Sequence, residues 1–329
     1  MAGSSFTEGR AADAARRARP PATRPATVVA VAALVAVLAM LGAACAPEPT
    51  VPGKLQVQYS LLSAANGLDP SVPPAGANDP GCRSRTHPVP VILVHGTFAN
   101  QALNWSTLSP LLKNDGYCVF TFNYGGPVLG MLYGFGDIRT SAAELSTFVD
   151  RVRSWTGAKE VDLVGHSQGG LLPRYYLNFL GGAPKVRNLV GLAPSNHGTT
   201  FHGMVTLSQK TGVSGLIDSL LAPICPACVQ QQTGSELMRQ MSSVPDTVPG
   251  VRYTVIASRY DEIVTPYESQ FLTGRNVRNI TIQDICPLNY DGHAGLAFDR
   301  QALREVMNAL SPSTARSVPC TFIPFDFGG

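Results

Sequence analysis

Charge is scarce in this chain: 14% of its 329 residues are Asp, Glu, Lys or Arg, against 44% hydrophobic residues. The net charge of +3 disappears once residues 1–44 are set aside. There Arg10, Arg16, Arg17, Arg19 and Arg24 outnumber Glu8 and Asp13, and the remainder balances to zero. A body with no basic excess offers phosphate backbones no electrostatic footprint, which excludes nucleic acid as the partner. Metal-ligand spacings are missing too. Cys225-Pro226-Ala227-Cys228 has the spacing of a redox or zinc pair, but neither a second C-x-x-C nor an H-x-x-x-H adds two further ligands. No metal and no organic cofactor is expected. Internal repeats are absent, which excludes a solenoid or propeller.

What is present begins with a targeting segment. An arginine-bearing stretch ends at Arg24-Pro25, and an apolar run from Ala26 to Ala44, broken only by Thr27, leads to Cys45-Ala46-Pro47. The favoured reading is a cleaved signal and a secreted protein, with residues 1–45 as the targeting segment. A lipid anchor on Cys45 is weakened by Gly42, where such sites usually carry Leu. An uncleaved helix is the third reading, since about 19 residues nearly span a bilayer core. The other six cysteines, Cys82, Cys118, Cys225, Cys228, Cys286 and Cys320, form an even set suited to an oxidising compartment. Cys82 with Cys118 would staple adjacent strands, Cys225 with Cys228 would close a local loop, and Cys286 with Cys320 would be the third bridge.

Residues 46–85 are rich in Pro, Gly, Ala and Ser and read as a linker and wrapping arm. From residue 86 to 329, apolar runs alternate with helical patterns. Strands are expected at 89–94, 117–122, 161–164, 188–192, 253–257 and 277–282. Leu145, Phe148, Val149 and Val152 mark one helix face, a helix should run from Gln168 to about Leu180, and Leu303, Val306, Met307 and Leu310 mark a closing helix. This alternation predicts an α/β domain with a mostly parallel sheet covered by helices on both faces. Residues 198–243 break the rhythm and read as an insertion over the sheet's top edge, either a packed extra helix or a lid.

Gly165-His166-Ser167-Gln168-Gly169 follows the apolar run Val161–Val164 and has the form G-x-S-x-G. At a strand-to-helix turn, that form lifts a serine Oγ where a base can reach it. Alone, it reads equally well as a glycine-rich loop, so the partners decide. A serine hydroxyl is a poor nucleophile at neutral pH and needs a base. In the chain order Ser, acid, His, only His197, His202 and His293 follow Ser167, and the first two precede any acid that ends a strand. His293, flanked by Gly292 and Gly295, is therefore the candidate base. Asp261 is the first carboxylate past the strand 253–257 and would orient that base. Glu262 is its rival, expected to be solvated, and Asp284 and Asp291 fit less well. Acyl transfer also needs donors for a developing oxyanion, here the Gln168 N–H and the Thr97 N–H, with or without its hydroxyl. His95 would shape that second loop.

His95-Gly96-Thr97-Phe98, GHSQGG, Asn196-His197-Gly198-Thr199, the segment Tyr260–Pro266 and Gly292-His293-Ala294-Gly295 together resemble a secreted bacterial α/β-hydrolase lipase. The resemblance is in particular to the actinobacterial branch of the class 2 triacylglycerol lipases. GHSQGG and DEIVTP are also similar to those of Candida lipase B-like enzymes. The resemblance covers about residues 85–312. It implies the α/β-hydrolase fold, Ser167, Asp261 and His293 as triad, and Thr97 and Gln168 as oxyanion hole; the apolar residues around the expected mouth point to a lipid or ester substrate, with a lipid–water interface as one setting. Phe98, Leu129, Met131, Ile217, Leu220 and Leu221, with Val128 and Leu132, are the apolar candidates for the site's mouth. A monomer is expected. Alternatives on the same triad are an acyltransferase or a polyester hydrolase. More remote ones are a non-catalytic surface-binding protein and a thiol oxidoreductase using Cys225 and Cys228. Asn104 and Asn279 begin glycosylation sequons and are expected to be unmodified.

Overall fold

Six strands, β1 (Val91–Val94), β2 (Val119–Thr121), β3 (Val161–His166), β4 (Val186–Leu192), β5 (Arg252–Ala257) and β6 (Val277–Thr281), form one sheet in the order β2-β1-β3-β4-β5-β6. Every pairing is parallel, with Ile92 beside Phe120 and Leu163, and Val190 beside Thr254. The computed structural model describes residues 53–62, 64, 69–325, 328 and 329, so the targeting segment and Cys45 lie outside the described residues. Among the described residues, no helix is long and apolar enough to cross a membrane.

A parallel sheet needs crossovers, and these place helices over both faces. The helices are α1 (Gln101–Trp105), α2 (Leu108–Asn114), α3 (Ile138–Thr156), α4 (Gln168–Phe179), α5 (Met204–Lys210), α6 (Ser214–Leu221), α7 (Pro226–Gln230), α8 (Glu236–Ser242), α9 (Ile282–Ile285) and α10 (Arg300–Leu310). Side chains alternate along each strand, so Ile92 and Val94 join Leu145, Phe148, Leu171 and Leu172 of α3 and α4 on one face. Val91 and Leu93 join Trp105, Leu112, Leu303 and Val306 of α1, α2 and α10 on the other. Helices α3 and α10 are capped by aspartate. Asp137 accepts the Thr140 N–H at 2.9 Å before α3, and Asp299 accepts the Ala302 N–H at 2.6 Å before α10.

All six expected strands appear; β1, β2 and β6 are shorter than expected, and β3, β4 and β5 run one or two residues longer. The Tyr117 N–H turns back to the Leu112 carbonyl at 3.0 Å, which delays β2. The chain passes directly from β6 into α9, so Ile282 is helical rather than extended. Residues 198–243 hold four short helices, α5 to α8, rather than one. The arm lies along the β2 edge: Asn78 Oδ1 accepts the Thr121 N–H, and the Ala75 carbonyl accepts Ser109 Oγ–H. Disulfides join Cys82 to Cys118, Cys225 to Cys228 and Cys286 to Cys320. The first ties the arm to the start of β2 rather than stapling two strands.

Candidate active site

At the carboxyl end of β3 the chain reverses into α4 through Ser167, whose backbone sits at φ 56°, ψ −125°. That is a conformation L-residues avoid. The turn is tight enough that a Cβ on Gly165 would lie 1.8 Å from the Gly169 carbonyl oxygen, and one on Gly169 would lie 2.0 Å from that of Val94. Both glycines are therefore required by backbone contact alone. The Ser167 N–H reaches the Leu192 carbonyl at 2.9 Å, which ties the turn to β4.

Asp261 follows β5 and is buried. Its Oδ1 accepts the N–H groups of Ile263 and Val264 at 2.9 and 2.7 Å, and its Oδ2 accepts Gln270 Nε2–H at 2.8 Å. The same Oδ2 lies 2.8 Å from His293 Nδ1. A carboxylate only accepts, so Nδ1 carries the proton and Nε2 of the neutral ring keeps its lone pair. His293 is held from its backbone as well. Its N–H donates to Glu262 Oε2 at 3.0 Å, and its carbonyl oxygen lies 3.0 Å from His166 Nε2. Glu262, expected to be solvated, thus anchors the base loop. The histidines read as poorer bases sit elsewhere: His197 pairs with Asp246 at 2.9 Å, and His202 is exposed. Asp284 pairs with Arg259 at the surface. Asp291 is buried, and its carbonyl accepts Ser258 Oγ–H at 2.5 Å.

A cavity of about 160 Å³ brings these pieces together, with Thr97, Ser167, His293 and Gln231 in its lining. Its apolar wall comes from Phe98, Phe201, Ile263, Val264 and Cys228. A backbone-close approach places the loop after β1 against the serine, since a Cβ on Gly96 would lie 3.1 Å from Ser167 Cβ. The Gly96 N–H is taken by Asn104 Oδ1 at 2.9 Å, so the residue that opens one glycosylation sequon is buried and bonded inward. His95 stacks on Tyr124 with centroids 4.3 Å apart, and burial pulls its pKa down to about 4. His166 falls to about 3, chiefly through burial and then through repulsion from His293. Both rings are therefore neutral at physiological pH. Gln168 is fully buried, with Oε1 2.9 Å from the Tyr124 hydroxyl.

The mouth residues expected from the sequence distribute differently. Phe98 lines the cavity, whereas Leu129, Met131, Ile217 and Leu220 are exposed outside its lining. Leu221, Val128 and Leu132 are partly buried against the core. The lining residues Ile263 and Val264 directly follow Asp261, a position from which sequence could have named them. Thr199 closes the Asn196–Thr199 motif, whereas Phe201, Ser195 and Gln231 carried no such signal. Among the described residues, no group of His, Cys, Asp and Glu is arranged to hold a metal ion.

The sequence model of the family described as Lipase (class 2) matches residues 88–301. A triacylglycerol lipase from Burkholderia plantarii is 32% identical over 169 residues, covering 49% of this chain and 44% of its own. Lipase B from Pseudozyma antarctica is 29% identical over 245 residues, covering 70% of this chain and 66% of its own. The chain thus spans under half of the first relative and about two thirds of the second. Aspergillus fumigatus lipase B shares the fold: its crystal structure aligns with a TM-score of 0.57 at 19% identity, over 83% of this chain and 63% of that one.

Proposed function

The chain belongs to the class 2 lipase family, and from that premise we propose that it hydrolyses carboxylic esters of lipids, acylglycerols among them, through an acyl-enzyme on Ser167. The observation that carries the reading is the 2.8 Å bond between Asp261 Oδ2 and His293 Nδ1 beside a cavity that Ser167 also lines. In this mechanism His293 Nε2 removes the Ser167 hydroxyl proton as Oγ attacks the ester carbonyl. Asp261 stabilises the imidazolium that results. The oxyanion is met by the Thr97 and Gln168 N–H groups, the latter in the first turn of α4, where N–H groups have no intrahelical acceptor. The imidazolium then protonates the leaving alcohol, and water repeats the cycle to free the acid.

Lipid as the substrate class is supported by the apolar cavity wall and by exposed Met204, Leu207, Leu216, Ile217 and Leu220 on α5 and α6. We read these helices as a lid that meets the lipid–water interface. Three disulfides support export to an oxidising compartment. Ser167→Ala should abolish hydrolysis of p-nitrophenyl esters while leaving circular dichroism and melting cooperativity unchanged. Wild-type turnover in that variant would end the proposal.

A further inference from the structure

Gln231 sits one residue past α7 in the inserted segment and is buried. Its amide orientation is settled by chemistry. Nε2 lies 3.1 Å from the Ala227 carbonyl oxygen, which only accepts, so that end is the NH₂. The second hydrogen on Nε2 goes to Thr97 Oγ1 at 3.0 Å, and Oε1 accepts Ser195 Oγ–H at 2.8 Å. One side chain thus joins the inserted helix, the loop after β1 and the loop after β4.

A threonine hydroxyl has one hydrogen. Because Thr97 Oγ1 accepts from Gln231, its own O–H cannot point back at that amide. Its hydrogen is left for another acceptor, and Thr97 and Ser167 line the same cavity. We propose that Gln231 is a positioning residue of the oxyanion hole. By occupying a lone pair on Thr97 Oγ1, it aims the Thr97 hydroxyl at the oxygen that gains charge when Ser167 attacks. The proposal rests on the ester-hydrolase reading above. It also gives the C-x-x-C a task without redox chemistry. The Cys225–Cys228 disulfide closes α7 against its own N-terminus, where Cys225 Sγ accepts the Cys228 N–H at 3.2 Å. The Ala227 N–H fixes the same turn to the Phe135 carbonyl at 3.1 Å. Helix α7 is therefore held at the two residues that precede the glutamine by three and four positions, and Ala227 is also the acceptor that orients the amide.

The test is a double-mutant cycle in the full chain on a soluble p-nitrophenyl ester. Thr97→Val removes the hydroxyl and keeps the main-chain N–H. Gln231→Met removes the donor and keeps the length. Losing one oriented donor lowers kcat, so Gln231→Met should cost about tenfold in kcat with KM within about twofold. That factor should vanish in the Thr97→Val background. Titration with a fluorophosphonate counts competent sites, so a misfolded fraction is not mistaken for slow turnover. Where Gln231→Met yields no soluble protein, Gln231→Glu replaces it. It keeps the shape, and its loss should be larger in the Thr97 enzyme than in Thr97→Val. Equal losses in both backgrounds, an unchanged kcat, or a rise in KM alone would overturn the proposal. Ser167→Ala in the same assay keeps the two claims apart: activity there defeats the hydrolase reading, whereas its loss beside an inert Gln231 defeats only this one.

Discussion

Ser167 holds its place at the tip of the turn at a cost to its backbone. At φ 56° a Cβ is crowded, and strain of this kind costs about 1–3 kcal/mol and persists only where the surroundings enforce it. The enforcement is visible in the Ser167 N–H bond to Leu192 and in the two glycines that let β3, β1 and α4 meet at backbone distance. Glycine at position 167 would relax the strain without altering that packing. Ser167→Gly should therefore be more stable than Ser167→Ala by about 1 kcal/mol, read as a higher midpoint in urea, although both are inactive. An equal or lower midpoint for the glycine variant would show that the turn stores no strain. At the same scale, His293 is fixed through its ring, its N–H and its carbonyl, and the neutral His166 beside it adds no positive charge next to that ring.

Helix α6 presents Leu216, Ile217 and Leu220 to solvent, an arrangement a helix in water has no reason to keep for its own stability. The double substitution Ile217→Ser with Leu220→Ser should lower adsorption to emulsified triacylglycerol about tenfold, because two side chains no longer enter the apolar phase. Turnover of a soluble short-chain ester should stay within about twofold of wild type. Equal losses on both substrates would place these residues in the acyl site rather than at the interface. This is also where sequence and structure part. The strands, α3, α4 and α10 were readable because burial on both faces leaves apolar runs and helical spacing. Ser167, Asp261 and His293 could be put forward as candidates because chain order and strand ends restrict the choice. Glu262 was not, since its partner is a backbone N–H 31 residues away. Gln231 was not either, because an amide just past an inserted helix belongs to no motif and gains meaning only from the helix and the two loops it joins. The apolar residues of the insertion could be counted in the sequence, but the face they present depends on how four short helices stack.

Across the whole molecule, a six-stranded parallel sheet delivers the ends of β1, β3 and β5, and the loop after β6, to one edge, and the inserted segment closes over the same place. The arm and the C-terminal stretch are tied on by the Cys82–Cys118 and Cys286–Cys320 disulfides, which close loops of 36 and 34 residues. Loops of that size are worth about 3–4 kcal/mol each in chain entropy. The account depends on one atom, Ser167 Oγ, acting as the nucleophile. The most direct measurement is peptide mapping by mass spectrometry after reaction of the full chain with a p-nitrophenyl alkylphosphonate. The account predicts one p-nitrophenolate released per chain, complete loss of ester hydrolysis, and the phosphonyl group on the peptide bearing Ser167. A hydrolytically active protein that stays unlabelled, or that carries the label on any other residue, would contradict it.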